Sequence, residues 1–420
     1  MFGRWIDKGG GRAVLLTGVF LNLGILISYK YLSFIVSNIS GIMPPESQDI
    51  LDPFRDIHLP LGISFFTFQG MSYLIDIYKK DAKPERNLFN LALYIGMFPQ
   101  LIAGPIVRFK EISEQIRHRV YSIDKISFGV CLFIIGFGYK ILIANAMGAQ
   151  ADNVFGLDHI SLTTSVAWIG ALAYTLQIYF DFCGYSTMAV GLGLILGIKF
   201  PRNFNFPYIS RSITEFWRRW HITLSTWFRD YLYIPLGGNR NGKVRTYFNL
   251  FTVFLLCGIW HGASWVFLIW GIYHGIFLII ERIGLGKLLG RLPKVIGHLY
   301  TLLVVIIGWV FFRAESFTQA ISFLKVMFSS KVNATNQLYF HDLVDNQIII
   351  VFIIGVFLST PIINWLFFNK DKDWETLVDL EALPKMKLEW LWKPMLLIIF
   401  IVALSKLVNE TYNPFIYFRF

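Results

Sequence analysis

The chain has 420 residues and a formal net charge of +11; 55% of its residues are hydrophobic, 17% aromatic and only 15% charged, and the mean hydropathy is +0.54. A soluble domain of this length does not carry such a composition, and no stretch is long and polar enough to form a separate soluble domain. A nucleic-acid-binding surface is therefore excluded as the source of the positive charge, which fits Lys and Arg gathered in the cytoplasmic loops of an integral membrane protein.

Arg4, Lys8 and Arg12 precede the apolar run from Ala13 to Ser28, and no small-residue cleavage site follows, so an uncleaved first span is expected. Further apolar segments fall near 13–36, 59–78, 87–107, 127–147, 162–180, 184–198, 248–282, 299–313, 346–368 and 391–408. Pro99, Gly104 and Pro105 make 87–107 a candidate re-entrant segment, a shape tolerated at membrane depth only where protein or a water-filled cavity surrounds it. Gly193 and Gly197 form a small-xxx-small pair that predicts tight helix packing. Residues 1–12 and 79–86 are net basic and are expected in the cytoplasm, whereas 37–58, with Glu46, Asp49, Asp52, Arg55 and Asp56, is expected to face outward. Residues 199–249 hold nine Lys/Arg against two acids and are again expected in the cytoplasm. Cys131, Cys183 and Cys257 sit inside apolar runs with no zinc-like or disulfide-like spacing, and read as small core residues. The loop 370–387 reads as a surface connection, and Asn333-Ala334-Thr335 fits a glycosylation sequon of low specificity.

Asp181 stands out in the run from Ala171 to Gly197 as a carboxylate among apolar residues. It needs a donor such as Tyr185, Ser186, an arginine or a helix N-terminus. A helix cap next to Gly184 and a place in a functional pocket are both open.

Residues 203–240 read NFNFPYISRSITEFWRRWHITLSTWFRDYLYIPLGGNR. Ser212-Ile213-Thr214-Glu215 is a capping box, so one helix is expected to start there, just after Pro207, and to end at Pro235 and Gly237-Gly238. Ile213, Phe216, Trp220, Leu224, Trp227 and Tyr231 recur every three or four residues as an apolar stripe. With Arg218, Arg219 and Arg229 on other faces, the plain reading is an interfacial helix with its aromatics in the acyl boundary. His221 falls on the face of Trp217, Leu224 and Phe228, in apolar surroundings where a neutral imidazole can both donate and accept.

The stretch CGIWHGASWVFLIWGIYHG, 257–275, holds His261 and His274 in matching frames. The parent segment 248–282 is too long for one span of about 20 residues, and Gly258, Gly262 and Gly271 predict two helical pieces with a break. Ionisable groups at such depth are rare and usually line a cavity or a reaction path. Gly262, Ala263 and Ser264 leave space beside His261, with Trp260 as a flat wall. Ile276, Phe277 and Leu278 fill the space after His274, which reads as a packing residue.

These strings, with LPLGISFFTFQGMSYLIDIY, FPQLIAGPIVRFK and the terminal NPFIYFRF, resemble the membrane-bound O-acyltransferase family, in its bacterial alginate O-acetyltransferase branch. The resemblance covers most of the chain and implies one all-α polytopic membrane domain over 1–420, a ring of transmembrane and re-entrant helices around a thin catalytic centre. Family members usually begin with further apolar segments ahead of the point that matches MFGRWIDKGG, so the N-terminus is expected to be shortened relative to the family. The branch commonly shows Ser and Asp where this chain has Cys183 and Thr187. The family's invariant histidine matches His261, and its second motif position matches His221.

The resemblance implies transfer of an acyl group from a thioester donor to a hydroxyl. His261 is expected to act as general base on that hydroxyl, and His221 to orient it or to assist the developing oxyanion. Trp217, Trp220 and Trp260 would shape the pocket, Asp181 stands with them as a pocket candidate, and Arg218 and Arg219 could attract the phosphates of a donor. The donor would be acetyl-coenzyme A or another acyl thioester, with no tightly bound cofactor and no metal implied. Expected partners are membrane lipids, a polysaccharide acceptor such as alginate and extracytoplasmic acetyltransferase proteins, with no nucleic acid, in a bacterial inner membrane. Two alternatives stay open: D-alanyl transfer to teichoic acid, and a passive polymer or lipid transporter, for which the echo of GIWHG in GIYHG is too short to count as a repeat.

Overall fold

A computed structural model of the chain describes all residues except 45–50, 52, 55–56, 159–161, 330–342, 363–388, 413–414 and 416–420. The sequon, the loop 370–387, most charges of the loop 37–58 and most of the terminal NPFIYFRF lie outside the described residues. Among the described residues the chain is helical, with no strand. Six helices among the described residues are long and apolar enough to cross a membrane: Phe2–Ser40 (α1), Ile123–Phe155 (α5), Thr164–Ile195 (α6), Trp265–Leu289 (α10), Lys294–Arg313 (α11) and Trp390–Asn409 (α14). Between them stand Ile63–Tyr78 (α2), Leu88–Gly96 (α3), Phe109–Arg117 (α4), Ile213–Arg219 (α7), Ile222–Phe228 (α8), Gly242–His261 (α9), Phe317–Met327 (α12) and Asn346–Leu358 (α13). Cys183 and Cys257 are buried and Cys131 half-buried, as small core residues.

The two expected segments 162–180 and 184–198 are one helix, α6. It packs most extensively on α5, and glycines set the distance. A Cβ on Gly136 would stand 2.4 Å from the Gly184 carbonyl oxygen, and one on Gly191 2.5 Å from that of Gly129. Helices without a hydrophobic drive to associate in lipid gain contact by such backbone approach. The expected pairing through Gly193 and Gly197 is corrected. Gly197 lies past the helix end with φ +74°, and Gly193 closes on the chain's own return at Ile198 and Phe200. Its role is to end the helix in the left-handed region, which costs glycine no Cβ clash.

The break expected in 248–282 is present. The α9 helix ends at His261 and the next begins at Trp265, after extended Gly262. The two then run back along each other, and Gly258 meets Gly271 where each Cβ would strike the partner backbone, at 2.4 Å from the Phe267 oxygen and 2.3 Å from the Phe254 oxygen.

The single amphipathic helix expected from Ser212 to Pro235 is corrected. It is two short helices, α7 and α8, broken at Trp220 and His221. Its cap is as expected: the Glu215 amide donates to Ser212 Oγ at 3.0 Å, while the Glu215 carboxylate accepts from the Arg211 amide at 3.0 Å. Beyond α8 the chain leaves through Gly237 and Gly238, both at positive φ. The aromatic stripe faces protein and not an acyl boundary: Ile213 and Phe216 are fully buried, and Trp220, Leu224, Trp227 and Tyr231 are buried too. Outside the spans, Arg108 holds this region to α4 by binding Asp230 at 2.7 Å. Burial works to raise the Asp230 carboxyl, but Arg229 and Arg108 outweigh it and hold it below the usual range.

Candidate active site

His261 is the last residue of α9, and the break after it has two consequences. The chain turns away, so the carbonyls of the final turn have no helical amide ahead of them. Their partners come from α1: Tyr31 Oη donates to Ile259 O at 2.8 Å, and Lys30 Nζ donates to Trp260 O at 2.7 Å and His261 O at 3.3 Å. Lys30 also bonds Ser64 Oγ at 3.0 Å and lies 5.7 Å from the Trp260 ring centroid. An ammonium at a helix C-terminus also meets the negative end of the macrodipole.

The second consequence is a ring of aromatic side chains packed around His261. The buried His261 ring lies 5.0 Å from Trp260, 5.0 Å from Trp270 and 5.2 Å from Phe312, centroid to centroid. Trp260 also touches the His221 ring at 6.3 Å, so the two histidines flank one indole. His221 is fully buried and meets Phe182 edge-on at 4.7 Å.

The local backbone explains how His221 reaches this place. It caps α8 with φ +44° and ψ +56°, a left-handed conformation in a residue that carries a Cβ, and such strain persists only when surrounding bonds over-determine it. The Asn205 amide donates to Arg219 O at 2.9 Å on one side of the break, and the Ile222 amide to Asn203 O at 2.9 Å on the other. His221 Nδ1 lies 2.9 Å from Asn203 Oδ1.

The other expected site residues fall at different distances from this centre. Trp217 is one ring removed, 5.6 Å from Trp270, and donates from Nε1 to His274 Nδ1 at 3.4 Å. Trp220 stands behind Trp309, at 4.8 Å, and Trp309 in turn reaches Trp270 at 6.1 Å. Arg218 is exposed. Arg219 is half-buried and engaged locally, with Glu215 Oε1 at 2.9 Å and Asn205 O at 3.1 Å.

Asp181 is not a cap: it sits inside α6, buried, with Lys140 of α5 at 2.7 Å. Its neighbour Phe182 faces His221, and Asp181 itself faces α5. Lys140 is a donor that the sequence reading did not name. Removing one partner of a buried pair costs about 3–5 kcal/mol, whereas replacing both by apolar residues is often close to neutral. Asp181→Ala is therefore expected to lower thermal stability strongly, and Asp181→Leu with Lys140→Met to recover most of it. Loss of acyl transfer per folded molecule in the double variant would return Asp181 to the pocket. Thr187, one of the departures from the branch pattern, donates its hydroxyl to Cys183 O within the same helix at 2.7 Å.

His274 is fully buried between Trp217, Trp270 and Tyr273. A Cβ on Gly308 would come within 2.8 Å of its Nε2. His274→Ala opens a cavity and strands the Trp217 donor, at about 2–5 kcal/mol. The expected result is a lower melting temperature with most activity per folded molecule retained; full loss of activity in a normally stable variant would show a direct role.

Sequence reasoning missed Lys30, Asn203, Phe182, Trp270, Trp309, Phe312 and Lys140. Lys30 left a signal, being a lone cation inside the apolar run 13–36. The others left none, since their placement comes from other helices.

The family model for the membrane-bound O-acyltransferase family matches residues 53–286, more than half of the chain and the whole stretch that carries His221, Trp260, His261 and His274. The chain belongs to the membrane-bound O-acyltransferase family. It is similar to a probable alginate O-acetylase of Pseudomonas putida, 43% identical over 97% of this chain and 84% of that protein, and to one of Azotobacter vinelandii, 40% identical over 100% and 89%. It is also similar to a peptidoglycan O-acetyltransferase of Helicobacter pylori, 40% identical over 75% and 64%. As a member of this acyltransferase family with six candidate spans, the chain is an O-acyltransferase and a multi-pass membrane protein.

Proposed function

We propose that this acyltransferase moves an acetyl group from a cytoplasmic thioester, acetyl-coenzyme A or another acyl thioester, towards hydroxyls of an extracytoplasmic polysaccharide such as alginate, in a bacterial inner membrane. The observation that carries this reading is the buried aromatic cluster in which His261 and His221 flank Trp260, in a chain 43% identical to a probable alginate O-acetylase.

In the proposed reaction the hydroxyl oxygen attacks the thioester carbonyl carbon. Its proton passes to an imidazole nitrogen, with His261 as the base. The tetrahedral intermediate then expels the thiolate, the C–S bond breaks, and the proton passes to sulfur, leaving an ester and a free thiol. His221 is the second ring of this centre. Trp260, Trp270 and Phe312 shut out water, which would otherwise compete with the hydroxyl for the thioester. Exposed Arg218 is available to donor phosphates, and Arg219, held by Glu215, less so.

The test uses the purified chain in lipid nanodiscs or inverted vesicles with labelled acetyl-coenzyme A and de-acetylated alginate. Alkali-labile label on the polymer, or on an added extracytoplasmic acetyltransferase partner, is the expected result. The Helicobacter relative supports a second acceptor, peptidoglycan, and an arm with de-acetylated peptidoglycan separates the two. Transfer from a D-alanyl thioester but not from an acetyl thioester would overturn the acetyl assignment. Polymer passage that survives in His261→Ala without any ester formed would favour a transporter.

A further inference from the structure

The hydrogen bonds around His221 determine which of its nitrogens carries the proton. Asn203 Oδ1 accepts from the Thr223 amide at 3.3 Å and from Thr223 Oγ1 at 2.9 Å. A backbone amide only donates, so the amide oxygen of Asn203, not its nitrogen, faces this group. Thr223 Oγ1 accepts from the Ile106 amide at 3.0 Å, which turns its own hydrogen towards Asn203. The contact between Asn203 Oδ1 and His221 Nδ1, 2.9 Å, can then be a hydrogen bond only if Nδ1 is protonated. In a neutral ring that leaves Nε2 with a bare lone pair. It is buried and has no hydrogen-bond partner among the described residues. A buried acceptor of this kind can take a hydrogen bond from a hydroxyl or a water.

We propose that Asn203 is a positioning residue of the acyl-transfer centre, holding His221 with its proton on Nδ1 so that Nε2 is a hydrogen-bond acceptor towards a hydroxyl of the acceptor substrate. The role rests on the functional reading above and sharpens it. A neutral His221 in this tautomer has no hydrogen to offer a developing oxyanion, so the oxyanion role expected from the sequence falls away and an acceptor role takes its place. His221 Nε2 orients the acceptor by a hydrogen bond from a hydroxyl beside the attacking one, whose proton passes to His261 on the other side of Trp260. The arrangement follows the logic by which a third group, here an amide oxygen, orients a catalytic imidazole. It also accounts for the strained backbone, since Asn203 clamps the ring through Oδ1 and the next residue through its main-chain oxygen.

Two measurements on the full chain test this. In the first, 15N spectra of histidine-labelled protein are compared with those of His221→Gln to identify the His221 ring. The expected signal is a neutral ring protonated at Nδ1, shifting towards the other tautomer in Asn203→Leu. A His221 protonated at Nε2 in the unmodified protein would overturn the proposal whether or not any activity is found. In the second, kcat and KM are measured for Asn203→Leu and Asn203→Asp against pH, normalised to folded protein. Asn203→Leu is expected to lose roughly 10- to 100-fold in kcat with little change in the thioester KM, which a general loss of fold would not produce. Asn203→Asp keeps an acceptor oxygen and adds a negative charge beside the ring, so it should fold, retain activity, and move the acid limb of the pH profile to higher pH. Wild-type kcat in both variants, with an unshifted profile, would remove Asn203 from the reaction. If the unmodified chain transfers no acyl group from any donor while the tautomer is as stated, the functional reading fails and the placement of the proton stands.

Discussion

His261→Ala is expected to abolish acyl transfer, with a loss on the order of 10²–10⁴ in rate, typical for a required general base, while the chain stays folded and in the membrane. The ring sits where α9 stops, packed against Trp260, Trp270 and Phe312, and water that fills the space of a deleted side chain there is poorly placed to replace it. His261→Gln separates two explanations. The amide keeps size and a hydrogen bond but takes no proton near neutral pH, so it should be nearly as impaired as alanine. The measurement is ester formation per folded molecule, with folding followed by size-exclusion profile and melting temperature. Full activity in His261→Gln would defeat the general-base role, and an active His261→Ala beside an inactive His274→Ala would reverse the assignment of the two framed histidines.

The next largest effect is expected at Lys30. Lys30→Met removes the donor to Trp260 O, His261 O and Ser64 Oγ together. Each carbonyl left unpaired in a buried place costs about 1–3 kcal/mol, and the helix end loses the cation that faces its dipole. The last turn of α9 can recover those bonds only by moving, and His261 is its last residue. A displacement of about 1 Å at a catalytic group is enough for a loss of about 100-fold. The expected result is therefore a kcat reduced by about that factor together with a lower melting temperature. Lys30→Arg should not rescue it, because a planar fork of five donors does not fit three acceptors arranged around one ammonium. A Lys30→Met variant with normal kcat per folded molecule would show that Tyr31, which holds Ile259 O, secures the helix end alone.

Much of this site is legible in the sequence alone. His261 needed only a break in an over-long apolar segment, and Gly262-Ala263-Ser264 announced it. The separation of His261 from His274 followed from the size of the residues after each, and the structure puts His274 in tight packing against Trp217 and Gly308. His221 was found for an incomplete reason. The three- and four-residue spacing marked its face correctly as buried, but the helix that spacing implied is interrupted at His221 itself.

What the sequence by itself determined is the class of the molecule and which histidines lie among apolar residues. Composition demands a membrane, apolar length fixes which segments can span it, and histidines in apolar surroundings are conspicuous because their desolvation has to be compensated by something. What only the tertiary structure decided is the compensation. Asn203 reaches His221 from 18 residues upstream, Lys30 reaches the His261 carbonyl from 231 residues away, and Asp181 finds Lys140 on a neighbouring helix. Periodicity reports which side of a helix is apolar. It carries no information on where a distant segment offers the backbone or a ring nitrogen a better hydrogen bond, and in this protein that competition breaks the helix at His221 and brings the Asn203 amide oxygen to its ring nitrogen.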